Sequence, residues 1–394
     1  MINFKPLKKI LMKSGVLAYT LVVLGICSLS AQDPIKDPVT IIGQENAITT
    51  AVPFLVITPD ARHAGLGDVG VATSPDANAA WWNPGKLSFI EHKYGGSLSV
   101  SPWLGKIIND MYLSYLAGFY KISREQTVAL GIKYFDLGDI RFTDQFNQSL
   151  GDFNPREFSF EGTYSRKLTE QFSIGITTKY IFSNLTGAFT GDEAQAGHSV
   201  AADLGVFYTK QIERSARNNT LSLGAAISNI GAKISYTNGD NADFIPTNLK
   251  LGGAYTTELD LHNKFTFALD LNKLLVPTPP NDSDKSLLSG IFGSFSDAPG
   301  GAKEELKEIM LSTGIEYWYN DTFAARLGYF NENSMKGNRK YLTIGTGFRR
   351  NSFGFDVAYL VPTNKREHPL AETLRFTILL QVLGSAELEN SVTD

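Results

Sequence analysis

Cysteine is almost missing from this chain: Cys27 is the only one among 394 residues. A disulfide within the chain is therefore excluded. Charge is scarce as well. Asp, Glu, Lys and Arg supply 19% of the residues, where an ordinary soluble protein carries about 25%. The formal net charge of −4 gives no reason to expect a nucleic-acid partner. The histidines His63, His92, His198, His262 and His368 are scattered. They form no i,i+4 pair and no ligand set, which argues against a metal site. A Gly-x-Ser-x-Gly nucleophile elbow is missing too. Beyond the N-terminal region, no apolar run reaches the roughly 20 residues that a membrane-spanning helix needs. We expect no enzyme and no cofactor.

What is there begins with an export signal. Lys5, Lys8, Lys9 and Lys13 precede an apolar core from Val16 to Ile26, and Ser28 to Ala31 are small residues suited to cleavage before Gln32. Ile26 stands before Cys27, where a lipoprotein signal requires a small residue. Cys27 therefore leaves with the signal, and a cysteine-free exported chain fits the bacterial envelope. Without a spanning helix, such a chain is either soluble or a β-barrel.

Strand pattern decides between them. From about Tyr94 onward, apolar and polar residues alternate repeatedly. Phe172, Ile174, Ile176, Tyr180 and Phe182 oppose Ser173, Gly175, Thr177, Lys179 and Ser183; Phe353, Phe355, Val357 and Tyr359 oppose Ser352, Gly354, Asp356 and Ala358. Fourteen such segments lie between residues 92 and 383, most of them reaching the 9–11 residues of a tilted membrane strand. Tight polar turns at 167–170, 259–262, 320–321 and 350–351 alternate with long linkers at 137–153, 184–197, 235–247 and 275–308. An even strand count with short turns on one side marks an outer-membrane barrel whose ends are periplasmic. Tyr112, Tyr115, Tyr120, Tyr317, Tyr319 and Tyr329 are expected in the interfacial aromatic girdles. Lys133, Glu161, Lys179, Asp203, Asp270, Glu316, Asp356 and Arg375 fall on the lumen side, in mixed sign, and read as ion pairs filling the barrel.

One stretch breaks the pattern. Residues 58–89 place Gly65, Gly67 and Gly70 and several alanines ahead of Trp81 and Trp82, and Asn83-Pro84-Gly85 ends the run with a turn. Asp76 is expected to cap a short helix through Trp82. Gly65, Gly67 and Gly70 also satisfy a dinucleotide-binding spacing, with Glu91 about 20 residues on. No buried strand leads into Gly65, and Pro75 and Pro84 interrupt the helix such a site needs. Glycines permitting close backbone packing inside a barrel are the better account. We read the stretch as a plug. The expected fold class is all-β: a 14-stranded antiparallel transmembrane β-barrel with an N-terminal plug. Its expected division is a signal peptide at 1–31, lead-in and plug at 32–90, barrel at 91–383 and a periplasmic tail at 384–394.

The plug pattern resembles the N-terminal hatch of the FadL long-chain fatty-acid transporter family. The wording DARHAGLGDVGVA followed by DANAAWWNPGKLSF resembles more narrowly the PorV family, FadL-like outer-membrane proteins of the type IX secretion system. That resemblance implies a barrel among outer-membrane lipid that binds the C-terminal signal domain of cargo leaving the type IX translocon channel subunit. It further implies delivery of cargo to the sortase-like attachment complex, PorU and its associates. The alternative is a FadL-like conduit for hydrophobic small molecules, which needs a continuous apolar pocket behind the plug.

The linker 275–308 is far longer than usual. It carries Leu287, Leu288, Ile291, Phe292 and Phe295 on the side expected outside the cell. Such a cluster in water needs a cover: it either folds back as a lid over the barrel mouth or grips the translocon or cargo.

Overall fold

The computed structural model describes residues 47–103, 110–143, 146, 148–185, 195–214, 217–237, 242–279, 285–363 and 373–382. The expected signal peptide and C-terminal tail lie outside them.

Alternating side chains make strands, and the strands close on themselves. In chain order they are β1 (Tyr94–Pro102), β2 (Tyr112–Lys121), β3 (Gln126–Asp136), β4 (Ile140–Thr143), β5 (Ser149–Phe153), β6 (Arg156–Lys167), β7 (Phe172–Asn184) and β8 (Gly197–Arg214). There follow β9 (Arg217–Gly231), β10 (Asn248–Glu258), β11 (Asn263–Leu274), β12 (Met310–Tyr319), β13 (Phe323–Asn331), β14 (Lys340–Arg350), β15 (Phe353–Pro362) and β16 (Leu374–Val382). All but β4 and β5 form one closed antiparallel barrel of fourteen strands, each beside its sequence neighbour. The seam pairs β1 with β16, Tyr94 opposite Val382 and Val100 opposite Phe376. Closure leaves no unpaired backbone edge facing hydrocarbon, the condition for a sheet in a membrane. β4 and β5 form a separate hairpin within the 137–155 connection, which the sequence reading left as a linker.

The turns sort by end. Short connections follow β2, β6, β8, β10, β12 and β14, and several are made by residues that tolerate positive φ: Asn320 (54°), Asp321 (47°) and Asn351 (53°). All these turns, with Tyr94 and Val382, lie at one end, the periplasmic one for an outer-membrane barrel. The linkers 232–247 and 275–309 belong to the other.

Burial follows the pleat. Leu130, Phe160, Val200, Leu269, Leu327, Ile344 and Leu380 are exposed on the outer face. Ser159, Ser173, Thr177, Lys179, Asp203, Asp270, Glu316, Asp356 and Arg375 are buried on the inner one. Tyr115 corrects one expectation. It points inward, is buried, and packs with Trp81, Trp82 and Ala117. β2 is apolar on both faces, so alternation alone could not set its phase.

Residues 52–90 occupy the lumen as short helical turns, Pro53–Val56, Ala61–Ala64, Ala79–Trp82 and Pro84–Phe89. Wall glycines make room for them. A Cβ on Gly328 would stand 2.0 Å from the Gly67 nitrogen, and one on Gly314 would stand 2.4 Å from the Leu66 carbonyl oxygen. Gly67 itself has φ 73°, where a side chain is strained, and its Cβ would meet the Tyr329 nitrogen at 2.4 Å. Gly67→Ala should therefore cost about 1–3 kcal/mol locally. Amide exchange of residues 61–73 should quicken while the wall strands keep their protection. Unchanged exchange in this variant would contradict the close fit.

Candidate functional site

The lumen segment is built from its own caps. Asp60 starts the Ala61–Ala64 turn by accepting from the His63 amide (3.0 Å), and its carboxylate also takes the Trp82 indole N–H at 2.8 Å. Asn83 starts the Pro84–Phe89 turn by accepting from the Gly85 amide at 2.9 Å. The Asn83 side-chain amide then donates to the carbonyls of Val71 and of Val206 in β8 (3.1 and 2.9 Å). Pro84 and Gly85 lie against Gly175 and Gly205, where added Cβ atoms would stand 2.3 Å from Pro84 and 2.2 Å from Asn83. Ser165 and Ser173 of the wall donate to the Gly85 carbonyl at 3.1 and 2.6 Å. Asn83 and Pro84 thus fasten the segment to β6, β7 and β8.

Asp76 is not the expected cap. The helix begins two residues later, at Ala79 behind Asn78, which caps nothing with its side chain. The Asp76 carboxylate instead accepts from the Asn78 amide and pairs with Arg62 at 3.0 Å. A buried guanidinium outbids a helix end, because an unpaired charge costs far more than a missing cap.

Arg62 heads a chain of charges across the lumen. It pairs with Glu316 of β12 (2.8 Å), Glu316 with Arg326 of β13 (2.6 Å), and Arg326 with Asp356 of β15 (2.8 Å). Asp270 of β11 accepts from the amides of Gly70 and Val71 at 2.7 and 3.0 Å. Across the barrel, Lys179 lies 2.7 Å from Asp203 and 3.9 Å from Glu161.

Gly65 and Gly67 meet wall backbone, Gly65 at the Gly345 Cα, where an added Cβ would stand at 3.0 Å. Gly70 meets the Trp82 ring, at 2.1 Å from an added Cβ. Trp82 packs within the segment over His63 at 4.8 Å and also meets the wall, where the Lys250 ammonium lies 5.3 Å from its ring centroid. Trp81 faces the wall: Lys133 of β3 and Lys250 of β10 bring their ammonium groups 4.7 and 4.2 Å from its ring centroid. Each such contact contributes about 0.5–2 kcal/mol. Neither lysine was foreseen as a partner of Trp81, since nothing local in the sequence joins them.

His63 Nδ1 lies 2.8 Å from Asp60 and its Nε2 lies 3.1 Å from the Thr73 hydroxyl. Thr73 donates to the Gly70 carbonyl and accepts from Lys86 at 3.0 Å. These groups are at most 1% exposed, and the array braces the segment from within. Among the described residues no group of three or more His, Cys, Asp or Glu is placed to hold a metal.

At the long-loop end, residues 287–293 form a helix capped by Ser286. Ile291 is 9% exposed, whereas Leu288, Phe292 and Phe295 are 62%, 72% and 50% exposed; Leu287 is half-buried. The i, i+4 spacing puts Leu288 and Phe292 on one face of the helix, and Phe295 follows in the turn just beyond its end. The opposite face docks through Gly290, whose added Cβ would stand 2.8 Å from the Phe244 ring.

Residues 41–281 match a family model described as "Type IX secretion system protein PorV". No curated protein matches the chain. Among solved structures, the P. putida toluene transporter TodX is similar at 11% identity, TM-score 0.48, over 84% of this chain and 100% of that one. The Ralstonia pickettii toluene transporter TbuX gives 11%, 0.45, 84% and 99%. A Pseudomonas aeruginosa FadL homologue gives 12%, 0.42, 83% and 99%.

Truncating both tryptophans, Trp81→Ala with Trp82→Ala, should cost about 3–5 kcal/mol per ring, all of it borne by the lumen segment. Protease sensitivity of residues 60–90 should rise while the barrel keeps its heat-modifiable migration. A double mutant with wild-type sensitivity and wild-type single-channel behaviour would remove any plugging role.

Proposed function

Because the chain belongs to the PorV family of type IX secretion system proteins, we propose that it binds the C-terminal signal domain of cargo emerging from the translocon channel subunit. It then carries that cargo to the sortase-like attachment complex at the cell surface. An exported barrel among outer-membrane lipid, closed at the wall and filled inside, is a suitable carrier. Residues 52–90 act as its plug, and its working surface lies at the long-loop end.

The observation that carries this reading is the exposure of Leu288 and Phe292 on a docked helix, with Phe295 exposed in the turn that follows it. Apolar side chains held in water at one place mark a contact surface, and burying each would contribute about 1.5–3 kcal/mol to an interface. Ile291 belongs instead to the helix's own seat. The conduit alternative is less favoured. The centre of the lumen holds Arg62, Glu316, Arg326 and Asp356 in contact, where an apolar molecule would have to displace paired charges.

Replacing Leu288, Phe292 and Phe295 with Ser should leave barrel assembly intact and hold cargo on the translocon. Pull-down from membranes should then recover less cargo with the variant than with the native chain. Wild-type secretion and surface attachment in the triple variant would reduce the helix to a lid. Fatty acid recovered with the purified protein at one molecule per barrel would favour the conduit.

A further inference from the structure

The chain on either side of the helix at 287–293 is tied down by a set of carboxylates that lie outside the helix, each of which reaches in two directions. Glu305 accepts from the Ala298 amide at 2.8 Å and pairs with Lys273 of β11 at 3.0 Å. Glu304 accepts from the Gly300 amide at 2.7 Å and pairs with Lys336, in the 332–339 connection, at 2.7 Å. Glu308 accepts from the Thr278 hydroxyl at 2.8 Å and pairs with Lys273 and Lys336 at 2.5 and 2.9 Å. Every one of the three therefore joins the loop's own backbone or hydroxyl to a lysine anchored elsewhere on the barrel. Asp297 adds a fourth tie, to Lys285 at 3.2 Å and to the Thr278 amide at 3.3 Å.

Burial alone would raise the Glu308 carboxyl, but hydrogen bonds from Lys273, Lys336 and Thr278 outweigh it and hold it below the usual glutamate range. The pairs are half-buried or better, so they are screened less than pairs on the surface.

Between the brace and the helix the chain is built to turn. Gly300 and Gly301 follow Ala298 and Pro299, and Gly301 has φ 65° with nothing near its missing side chain. Gly293 ends the helix beside the Asp297–Lys285 pair, whose Oδ2 and Nζ would each stand 4.0 Å from an added Cβ. The helix's own seat includes Gly290 on Phe244 and Pro277, the buried Ile291 and the buried C-cap Ser294.

The geometry points to a hinged arm. The Lys273–Lys336–Glu304–Glu305–Glu308 brace holds the helix 287–293 docked at the barrel end, and loosening the brace lets the arm swing about Gly293 and Gly300–Gly301 without opening the barrel. This rests on the reading that the apolar face of the arm receives a partner. The brace then sets the pose in which that face is shown.

The test reads the pose alone. In a Cys27→Ser background, Ile291→Cys reports the docked face and Phe292→Cys the exposed one, with a membrane-impermeant maleimide applied to the assembled protein in membranes. Native Ile291→Cys should label slowly. Adding Lys273→Met with Lys336→Met should raise its rate about ten-fold, as expected when a local opening loses its restraint. Phe292→Cys should label fast in both backgrounds, and heat-modifiable migration should stay unchanged. Equal Ile291→Cys rates with and without the two lysines would overturn the brace. Should the double lysine variant fail to assemble, Glu304→Gln, Glu305→Gln and Glu308→Gln together take the charge out of the same pairs and are read the same way. Fast labelling with unimpaired cargo secretion would count against the partner reading while leaving the brace standing.

Discussion

One guanidinium sets the terms for the interior. Arg62 is buried, and a buried charge is tolerated only where partners and hydrogen bonds replace its water. It finds Asp76 within its own segment and Glu316 on the wall. From that junction the pairing runs through Arg326 to Asp356. Removing one member of such a chain strands the next, at a cost of about 3–5 kcal/mol. The segment and the wall therefore define each other's positions.

The outside obeys a different solvent. Leucine, isoleucine, valine and aromatic side chains face hydrocarbon, and the strands need nothing from one another there beyond backbone bonds. Inside, polarity and small size are what matter: serines that reach the Gly85 carbonyl, and glycines that admit backbone. The alternation that builds the wall thus places two unlike surfaces back to back on every strand. The long connections gather at one end of the wall.

Much of this was legible from the residue order. A period of two, sustained over fourteen segments and broken by Asn- and Asp-rich turns, specifies a barrel because no other closed form matches that length and spacing. The lumen charges from Lys133 to Arg375 could be assigned to a side because each sits out of phase with the lipid-facing apolar residues of its strand. Tyr115 could not, since β2 carries apolar residues in both phases. The cap at Asp76 was misread for a related reason: local rules weigh a helix end, and the deciding partner Arg62 stands fourteen positions away. The seat of Ile291 and the lysines around Trp81 lie beyond any sequence rule, because loops and distant strands bring them together.

The seam between β1 and β16 carries a consequence for how the molecule is put together. The amide of Ala61 donates to the Thr377 hydroxyl in the last strand, 316 positions on. The Arg375 side chain reaches the Thr58 carbonyl at 2.9 Å. Contacts of such sequence separation form late and slowly. The filling precedes β1 in the chain and touches strands from both sides of the seam. At Gly314 and Gly328 the wall leaves no room for a side chain, since an added Cβ would stand 2.0–2.4 Å from the backbone of the filling. The first-made part of the chain is thus tied directly to the last-made strand, and the closure of the wall and the placing of its filling share the same contacts.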